Sequence, residues 1–326
     1  MASEDSVTRR SFLAGVAATA TTAAALARLE AQSAPAIPII DTHIHLFDPT
    51  RPQGAPYSGP PTPGVAPIPS FPDRYRKLAV PLGIVGAVKV EASPWIEDNL
   101  WVLQIAQTDP IIVGVIGNLE PEKPEFAEYL DRYRKNPLFR GIRCGNLWGR
   151  NFTAQAENPA FVAGLKRVAD ADLVVDLANP NLALLRAAVR LTDQVPGLRV
   201  VLDHLPAYDP TATDQSAYDA VIRELARRPL VFAKLSSIIH RVGGQVPATL
   251  AAYRPRVDAL LGLFGEDRVL FGSDWPNSDG VTTIDRVVAV AKEYFSTQPR
   301  GVAEKYFWRN STRAYKWVRR DPTQPA

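Results

Sequence analysis

The chain has 326 residues, of which 46% are hydrophobic and 22% charged, so it can bury a substantial core and is neither disordered nor fibrous. Its 37 Lys and Arg residues nearly balance 34 Asp and Glu residues, and the net charge of +3 is spread without a basic stripe. This pattern argues against nucleic acid as a partner. The single cysteine, Cys144, excludes an intramolecular disulfide, so the fold depends on its core.

An export signal is predicted at the N-terminus, in residues 1–33. Arg9 and Arg10 precede an uncharged stretch, Ala14 to Ala27, that is rich in Ala and Thr. Adjacent arginines before a weakly apolar segment are typical of a signal for the twin-arginine export machinery. The apolar stretch is shorter than the roughly 20 residues of a membrane span, so we expect a periplasmic or secreted protein without a stable span.

Residues 34–326 are predicted to form one domain in which eight apolar strands alternate with helices. The predicted strands are Ile39–His45, Gly83–Glu91, Ile111–Leu119, Phe139–Cys144, Leu173–Leu177, Arg199–His204, Leu230–Leu235 and Arg268–Ser273. Helical spacing of apolar residues predicts helices at Ile96–Thr108, Glu122–Asn136, Pro159–Ala169, Pro180–Gln194, Tyr218–Arg227 and Arg254–Phe264.

This alternation implies a parallel sheet, and eight repeats in about 290 residues predict an α/β fold of the (β/α)8 TIM barrel type. A doubly wound open sheet is the alternative, and it lacks its usual Gly-x-Gly-x-x-Gly motif after the first strand.

A proline-rich segment, residues 48–72, interrupts the pattern with nine prolines in 25 residues. It follows the first strand directly, so in a barrel it would lie over the carboxyl end, which forms the mouth. A lid or substrate wall fits this composition, and so does a surface insertion without a role.

Polar residues concentrate at the predicted carboxyl ends of the strands, where barrel enzymes carry out their chemistry. These residues are Asp41, His43, His45, Lys89, Glu91, Arg143, Asp176, Asp203, His204, Lys234, Ser273 and Asp274. Three of the four histidines of the chain are among them.

The histidines suggest a metal site. His43 and His45 are two residues apart on a strand, so both imidazoles point to the same side. With His204 and Asp274 as further ligands from distant strands, they predict a site for zinc or a similar divalent metal.

Six segments of the chain form a recognisable set of motifs: Ile40–Asp48, Phe139–Arg143, Val201–His204, Ala233–Ser236, Leu270–Pro276 and Asn310–Tyr315. Together they resemble the amidohydrolase-related family. They occur in the family's order over nearly the whole mature chain, and they fit best the branch of sugar lactonases and pyrone-dicarboxylate lactonases. The resemblance implies a (β/α)8 hydrolase that is, or formerly was, metal-dependent. The wider superfamily usually has a metal-binding His at the end of strand five, where this chain has Asp176.

The resemblance also implies the hydrolysis of a small lactone or related cyclic ester. That reaction needs an activated water and a stabiliser for the carbonyl oxygen. Asp274 would be the general base beside the catalytic His204. His43, His45 and His204 would polarise the carbonyl, either through a metal or as direct hydrogen-bond donors.

Further residues are predicted to bind this small-molecule substrate. The planar fork of Arg143 suits a carboxylate or hydroxyl group, and Arg150 could line the same mouth. Glu91 could bind sugar hydroxyls, complete a metal site or form a salt bridge. His240 could reach the mouth or lie on the surface, and Lys234 is expected to pair with a carboxylate in the barrel.

Two other functions are alternatives. The superfamily includes lyases that decarboxylate aromatic acids and share the His-x-His opening, although these typically keep the strand-five His. A non-catalytic exported binding barrel is the other alternative.

Overall fold

Eight parallel strands pair in chain order and form a nearly closed barrel. Their bounds are β1 (Ile39–Ile44), β2 (Ile84–Lys89), β3 (Ile112–Gly117), β4 (Phe139–Gly145), β5 (Val174–Ala178), β6 (Arg199–Leu202), β7 (Val231–Lys234) and β8 (Val269–Leu270). Almost every strand residue is buried, as expected for parallel strands covered by helices. The predicted TIM barrel is confirmed. The open-sheet alternative is wrong, because a doubly wound sheet would reverse its strand order.

Hydrogen bonds between β1 and the segment after β8 bring the two ends of the sheet together. The N–H of Asp274 donates to the carbonyl oxygen of His43 at 2.8 Å, and the N–H of His45 donates to that of Trp275 at 2.8 Å. The first and last strands therefore place their polar residues at the same point of the rim.

Helices connect successive strands around the outside of the barrel, and three further helices follow the last strand. They are α1 (Pro72–Ala79), α2 (Asp98–Thr108), α3 (Phe126–Tyr133), α4 (Phe152–Gln155), α5 (Pro159–Asp170), α6 (Leu182–Gln194), α7 (Gln215–Ala226), α8 (Arg254–Phe264), α9 (Ile284–Phe295), α10 (Arg300–Glu304) and α11 (Asn310–Tyr315). The six predicted helices are confirmed, Arg254–Phe264 with the predicted ends and the other five with one or both ends shifted. For example, α6 begins at Leu182 because the Asn181 side chain caps it by accepting from the N–H of Leu184 at 2.8 Å.

The interior changes character along the barrel axis. An apolar cluster that includes Val88, Val113 and Phe232 continues into Tyr315 and Trp317 of the C-terminal segment. The strand ends at the mouth instead carry buried charged and polar residues. This separation confines the candidate site to the carboxyl end of the barrel.

The computed structural model describes residues 35–58 and 68–326. One unit of the chain spans Pro38–Ala326. The export signal predicted for residues 1–33 lies outside the described residues and stays a prediction. Residues 59–67 of the proline-rich segment lie outside them too. Among the helices described, none is long and apolar enough to cross a membrane.

Candidate active site

The four residues predicted as ligands or catalytic groups meet at the mouth. His43 lies on β1, and His45 is the first residue after that strand. Their Nε2 atoms are 3.2 Å apart. Asp274 Oδ1 lies 3.2 Å from His45 Nε2 and 3.5 Å from His43 Nε2. His204 Nε2 is 4.0 Å from the same oxygen. The first three side chains are buried and His204 is partly exposed, so the cluster faces solvent on one side.

Two of these residues follow their strands in the left-handed backbone region. The angle φ is 55° at His204 and 62° at Asp274. A residue other than glycine in this region costs roughly 1–3 kcal/mol, and such strain concentrates at functional sites. The N–H of His204 donates to Ser236 Oγ at 3.3 Å, which helps hold this turn. Both turns direct the side chains into the cluster.

Burial and neighbouring charges set the protonation of the cluster. Burial and the charge of Lys234 hold the pKa of His43 well below 6.5, and burial lowers the pKa of His45 to about 4. Burial also lowers the pKa of His204. For Asp274, burial raises the pKa, but the adjacent imidazoles outweigh it and hold that pKa well below 3.8. At neutral pH the site therefore combines neutral imidazoles with an ionised carboxylate.

The spacing of His43, His45 and Asp274 could accept a divalent metal. Two ligand atoms of a tetrahedral zinc site are about 3.3 Å apart when each is about 2 Å from the metal. The three atoms here are separated by 3.2, 3.2 and 3.5 Å. His45 also has the hydrogen bond that a metal ligand needs. Its Nδ1 lies 3.1 Å from the carbonyl oxygen of Val90, so Nδ1 can donate its proton there while Nε2 keeps a lone pair for the metal.

His43 lacks the corresponding hydrogen bond from Nδ1 to an acceptor. Its Nδ1 lies 3.2 Å from the Nζ of Lys234, nearer than the acceptor Asp203 Oδ1 at 3.7 Å. Nζ also donates to Asp176 Oδ2 at 2.7 Å and lies 2.9 Å from Asp203 Oδ1, so two carboxylates pair with the ammonium. An ammonium only donates, so Nδ1 of His43 can only accept from Lys234, whereas a metal at Nε2 would need the ring proton on Nδ1. Spacing thus fits a metal, whereas the hydrogen bonding of His43 does not.

The structure confirms the ion pair expected for Lys234, which lies on β7. Asp176, in the middle of β5, accepts from Lys234 and from the hydroxyl of Tyr315 at 3.0 Å. All three side chains are fully buried. Asp176 therefore has a charge partner within the barrel.

Arg143 reaches the cluster with part of its fork occupied. Its Nε and Nη2 donate to Asp203 Oδ2 at 3.2 and 3.1 Å. Nη2 also lies 3.5 Å from His43 Nε2. The edge of the guanidinium that carries Nε is therefore not free for the bidentate substrate contact expected from the sequence. Its role in substrate binding stays a prediction.

Glu91 and Arg150 form an ion pair at the rim. Arg150 Nη2 donates to Glu91 Oε1 at 2.8 Å, and Trp148 Nε1 donates to the same oxygen at 3.0 Å. Arg150 Nη1 reaches Asn118 Oδ1 at 3.1 Å. Among the described residues, the buried Oε2 of Glu91 has no hydrogen-bond partner.

The structure gives His240 other neighbours. Its Nδ1 lies 2.8 Å from the carbonyl oxygen of Ile238, and its ring packs against Tyr253 with centroids 5.3 Å apart. It lines a groove of about 400 Å³ with residues of α7 and α8. Its predicted contact with substrate is not supported by this placement.

Sequence reasoning missed Tyr57 and the groups that hold His204 and Asp274. Tyr57, from the proline-rich segment, packs its ring on His45 with centroids 4.4 Å apart. Ser236 Oγ lies 2.8 Å from His204 Nδ1, and Asn277 Nδ2 donates to Asp274 Oδ2 at 2.9 Å. Ser236 and Asn277 follow strand ends closely, which is the signal that could have identified them. Tyr57 stands far from any strand end and gives no such signal.

A family model described as amidohydrolase matches residues 40–317. The chain belongs to the amidohydrolase family. The chain is 29% identical over 215 residues to an L-fucono-1,5-lactonase of Burkholderia ambifaria, covering 64% of this chain and 70% of that protein. It is 25% identical over 248 residues to an L-fucono-1,5-lactonase of Burkholderia multivorans, covering 73% of this chain and 82% of that protein.

A solved structure has the same fold as this amidohydrolase. An amidohydrolase from Burkholderia multivorans, crystallised with bound zinc, superposes with a TM-score of 0.74 at 24% identity. The match covers 86% of this chain and 99% of that one.

Proposed function

We propose that this amidohydrolase hydrolyses a small lactone or related cyclic ester. The observation that carries the proposal is Asp274, an ionised carboxylate within 3.2–4.0 Å of three imidazole nitrogens at the mouth of the barrel. A base beside neutral donors is what ester hydrolysis needs, and the two relatives compared above are lactonases.

The reaction follows from these positions. His43 donates its Nε2 proton in a hydrogen bond to the carbonyl oxygen of the lactone, which gains negative charge as a water attacks the carbonyl carbon. A carboxylate of low pKa is a weak base, so Asp274 takes the water proton only as the new carbon–oxygen bond forms. The ring carbon–oxygen bond then breaks, and Asp274 returns the proton to the leaving alkoxide. The product is a hydroxy acid.

The two alternatives have less support. The decarboxylase alternative expects a His at the end of β5, and this strand contains none. Its one ionisable residue, Asp176, is bound to Lys234. A binding barrel without catalysis needs no ionised base among polar donors, whereas the adjacent imidazoles keep Asp274 ionised by lowering its pKa against the effect of burial.

An Asp274→Asn variant tests the assigned base. The parent should hydrolyse at least one member of a panel of aldonolactones and pyrone carboxylates. The variant should lose roughly 10²–10⁴-fold in kcat, because an amide cannot accept the water proton. Titration of the released acid measures both rates.

Asp279→Asn is the matched control, because Asp279 is an exposed carboxylate in the same loop and pairs with Arg74 at 3.6 Å. It should retain the parent activity. Equal activity of the parent and Asp274→Asn would show that Asp274 is not the general base. Release of carbon dioxide from aromatic acids without lactone hydrolysis would show that the protein is a decarboxylase and would contradict the proposed function.

A further inference from the structure

Lys234 lies fully buried on β7, with its ammonium surrounded by acceptors. Nζ donates to Asp176 Oδ2 at 2.7 Å, lies 2.9 Å from Asp203 Oδ1 and is 3.2 Å from His43 Nδ1. Two carboxylates offset the cost of burying the charge. The third contact leads from this ion-pair cluster directly to an imidazole of the proposed active site.

The packing at the rim allows this contact. Gly272 follows β8, and a Cβ at this position would lie 2.8 Å from the Cβ of His43 and 3.3 Å from the Cδ of Lys234. A larger residue would push the two side chains apart. The ring of Tyr315 supports the ammonium from another side, with its centroid 5.3 Å from Nζ.

We propose that Lys234 is a positioning residue that keeps the proton of His43 on Nε2, as the donor to the reacting carbonyl oxygen. An ammonium offers donors only, so His43 Nδ1 must accept. The single proton of the neutral ring then lies on Nε2, which is 3.2 Å from His45 Nε2 and 3.5 Å from Asp274 Oδ1. The identity of the reacting oxygen rests on the proposed lactone hydrolysis, whereas the position of the proton does not.

Arg143 is the competing influence on this ring. Its Nη2 lies 3.5 Å from His43 Nε2, and a guanidinium also only donates, so Arg143 alone would move the proton to Nδ1. The Lys234 contact is shorter, at 3.2 Å, and Arg143 directs Nε and Nη2 at Asp203. The contact with Lys234 therefore outweighs that with Arg143, and His45 Nε2, 3.2 Å from His43 Nε2, can accept the proton on that side.

The same contact opposes metal binding at His43. A metal bound to Nε2 needs the ring proton on Nδ1, where it would point at the ammonium. Removing Lys234 should therefore have two linked effects, a weaker donor to the carbonyl oxygen and a stronger site for zinc.

Nitrogen NMR of the full chain with isotope-labelled histidine tests the proposal directly. The chain has four histidines, so a His43→Gln variant assigns the His43 signals by their loss. In the parent at neutral pH, His43 should show a protonated Nε2 and an unprotonated Nδ1. The opposite tautomer in the parent would overturn the proposal and assign control of the ring to Arg143.

Lys234→Met is the informative variant. His43 should shift toward the Nδ1–H form, because Asp203 Oδ1 lies 3.7 Å from Nδ1 and Arg143 faces Nε2. Zinc affinity, measured by titration, should rise roughly tenfold or more. Lactone kcat should fall about 100-fold with KM little changed, because one donor to the carbonyl oxygen is lost. Lys234→Arg restores a cationic donor and should restore the Nε2–H form.

Lys234→Met removes the ammonium from between two buried carboxylates, Asp176 and Asp203, so a double variant with Asp176→Asn serves if the single variant does not fold. An unchanged His43 tautomer in either variant would overturn the role of Lys234. Should the parent show the expected tautomer but no lactone hydrolysis, the proposed function fails while the control of His43 by Lys234 stands.

Discussion

Glu91 keeps one carboxylate oxygen buried without a hydrogen-bond partner among the described residues. The nearby guanidinium groups are already paired, Arg150 with Glu91 and Arg143 with Asp203. A substrate hydroxyl can supply the missing donor, whereas a second substrate carboxylate would bring repulsion without a free arginine to offset it. We therefore expect a preference for neutral hydroxylated lactones over pyrone dicarboxylates.

A Glu91→Gln variant should lose this preference. A hydrogen bond to a charged group is worth about 1.5–3 kcal/mol, so kcat/KM for the best hydroxylated lactone should fall roughly 10–100-fold. Glu97→Gln makes the same change at an exposed residue after the same strand and should behave as the parent. Comparable losses for hydroxylated and non-hydroxylated lactones would show that Glu91 only holds Arg150.

At the residue scale, the sequence predicted which side chains meet at the mouth better than it predicted their hydrogen-bond partners. Side chains alternate along a strand and parallel strands end at one rim, so the meeting of His43, His45 and Asp274 follows from topology. Which acceptor takes which donor depends on ångström-scale packing. The spacing of residues in the sequence therefore did not indicate that Asp203 accepts from the Arg143 guanidinium. Nor did it indicate that Lys234 contacts His43.

At the element scale, the proline-rich segment is tied to the barrel at both ends. The N–H of Ser70 donates to the carbonyl oxygen of Phe47 at 2.9 Å, and Arg51 donates to Asp98 Oδ1 at 2.8 Å. Between these anchors, Tyr57 packs on His45, 4.4 Å between ring centroids, and lies 6.3 Å from Trp148. These contacts favour a substrate wall over an insertion without a role.

Tyr57→Ala should therefore impair the enzyme more than Tyr57→Phe. Loss of the ring opens the site to water and removes an apolar surface worth about 1.5–3 kcal/mol, so KM should rise roughly tenfold or more. The phenylalanine variant keeps the ring and should stay near the parent. Steady-state kinetics on the best lactone measure both. Parent-like kinetics for the alanine variant would favour the insertion without a role.

The predicted elements differ from the observed ones where local signals were overlooked. All eight strands were predicted because each is a short apolar run between turns. Helix α9 was missed although Ile284, Val287, Val288 and Ala291 are buried at helical spacing. Helix α3 begins at Phe126 rather than at the predicted Glu122. Pro124 lies just before the helix, and a proline disfavours helical backbone in the residue that precedes it.

At the scale of the whole molecule, the C-terminal segment binds the barrel at the end opposite the site. The N–H of Val318 donates to the carbonyl oxygen of Val113 at 2.9 Å, and Gln324 Nε2 donates to that of Pro110 at 2.8 Å. Trp317 adds its ring to the apolar interior. The segment thus holds strands and helices that are far from it in sequence.

Arg320 is the strongest polar anchor of this segment. Its guanidinium donates to the carbonyl oxygens of Gln107, Asp109 and Ile112, each at 2.8 Å, and to that of Ala106. Several of these carbonyls end α2, where a cation is favourable. Arg320→Ala should lower the free energy of unfolding by about 2–3 kcal/mol, because charge-assisted hydrogen bonds are lost and carbonyls are left unpaired.

Thermal unfolding measures this loss, and the expected fall in Tm is roughly 5 °C. Arg319→Ala is the matched control, because it removes the same charge from an exposed neighbour that donates only to Pro322 O, at 3.0 Å, among the described residues. Its stability should stay within about 0.5 kcal/mol of the parent. Equal losses in both variants would assign the effect to net charge. Because the site lies at the opposite end, kcat of Arg320→Ala well below its Tm should match the parent, and a loss of kcat would show that the amino end also shapes the mouth.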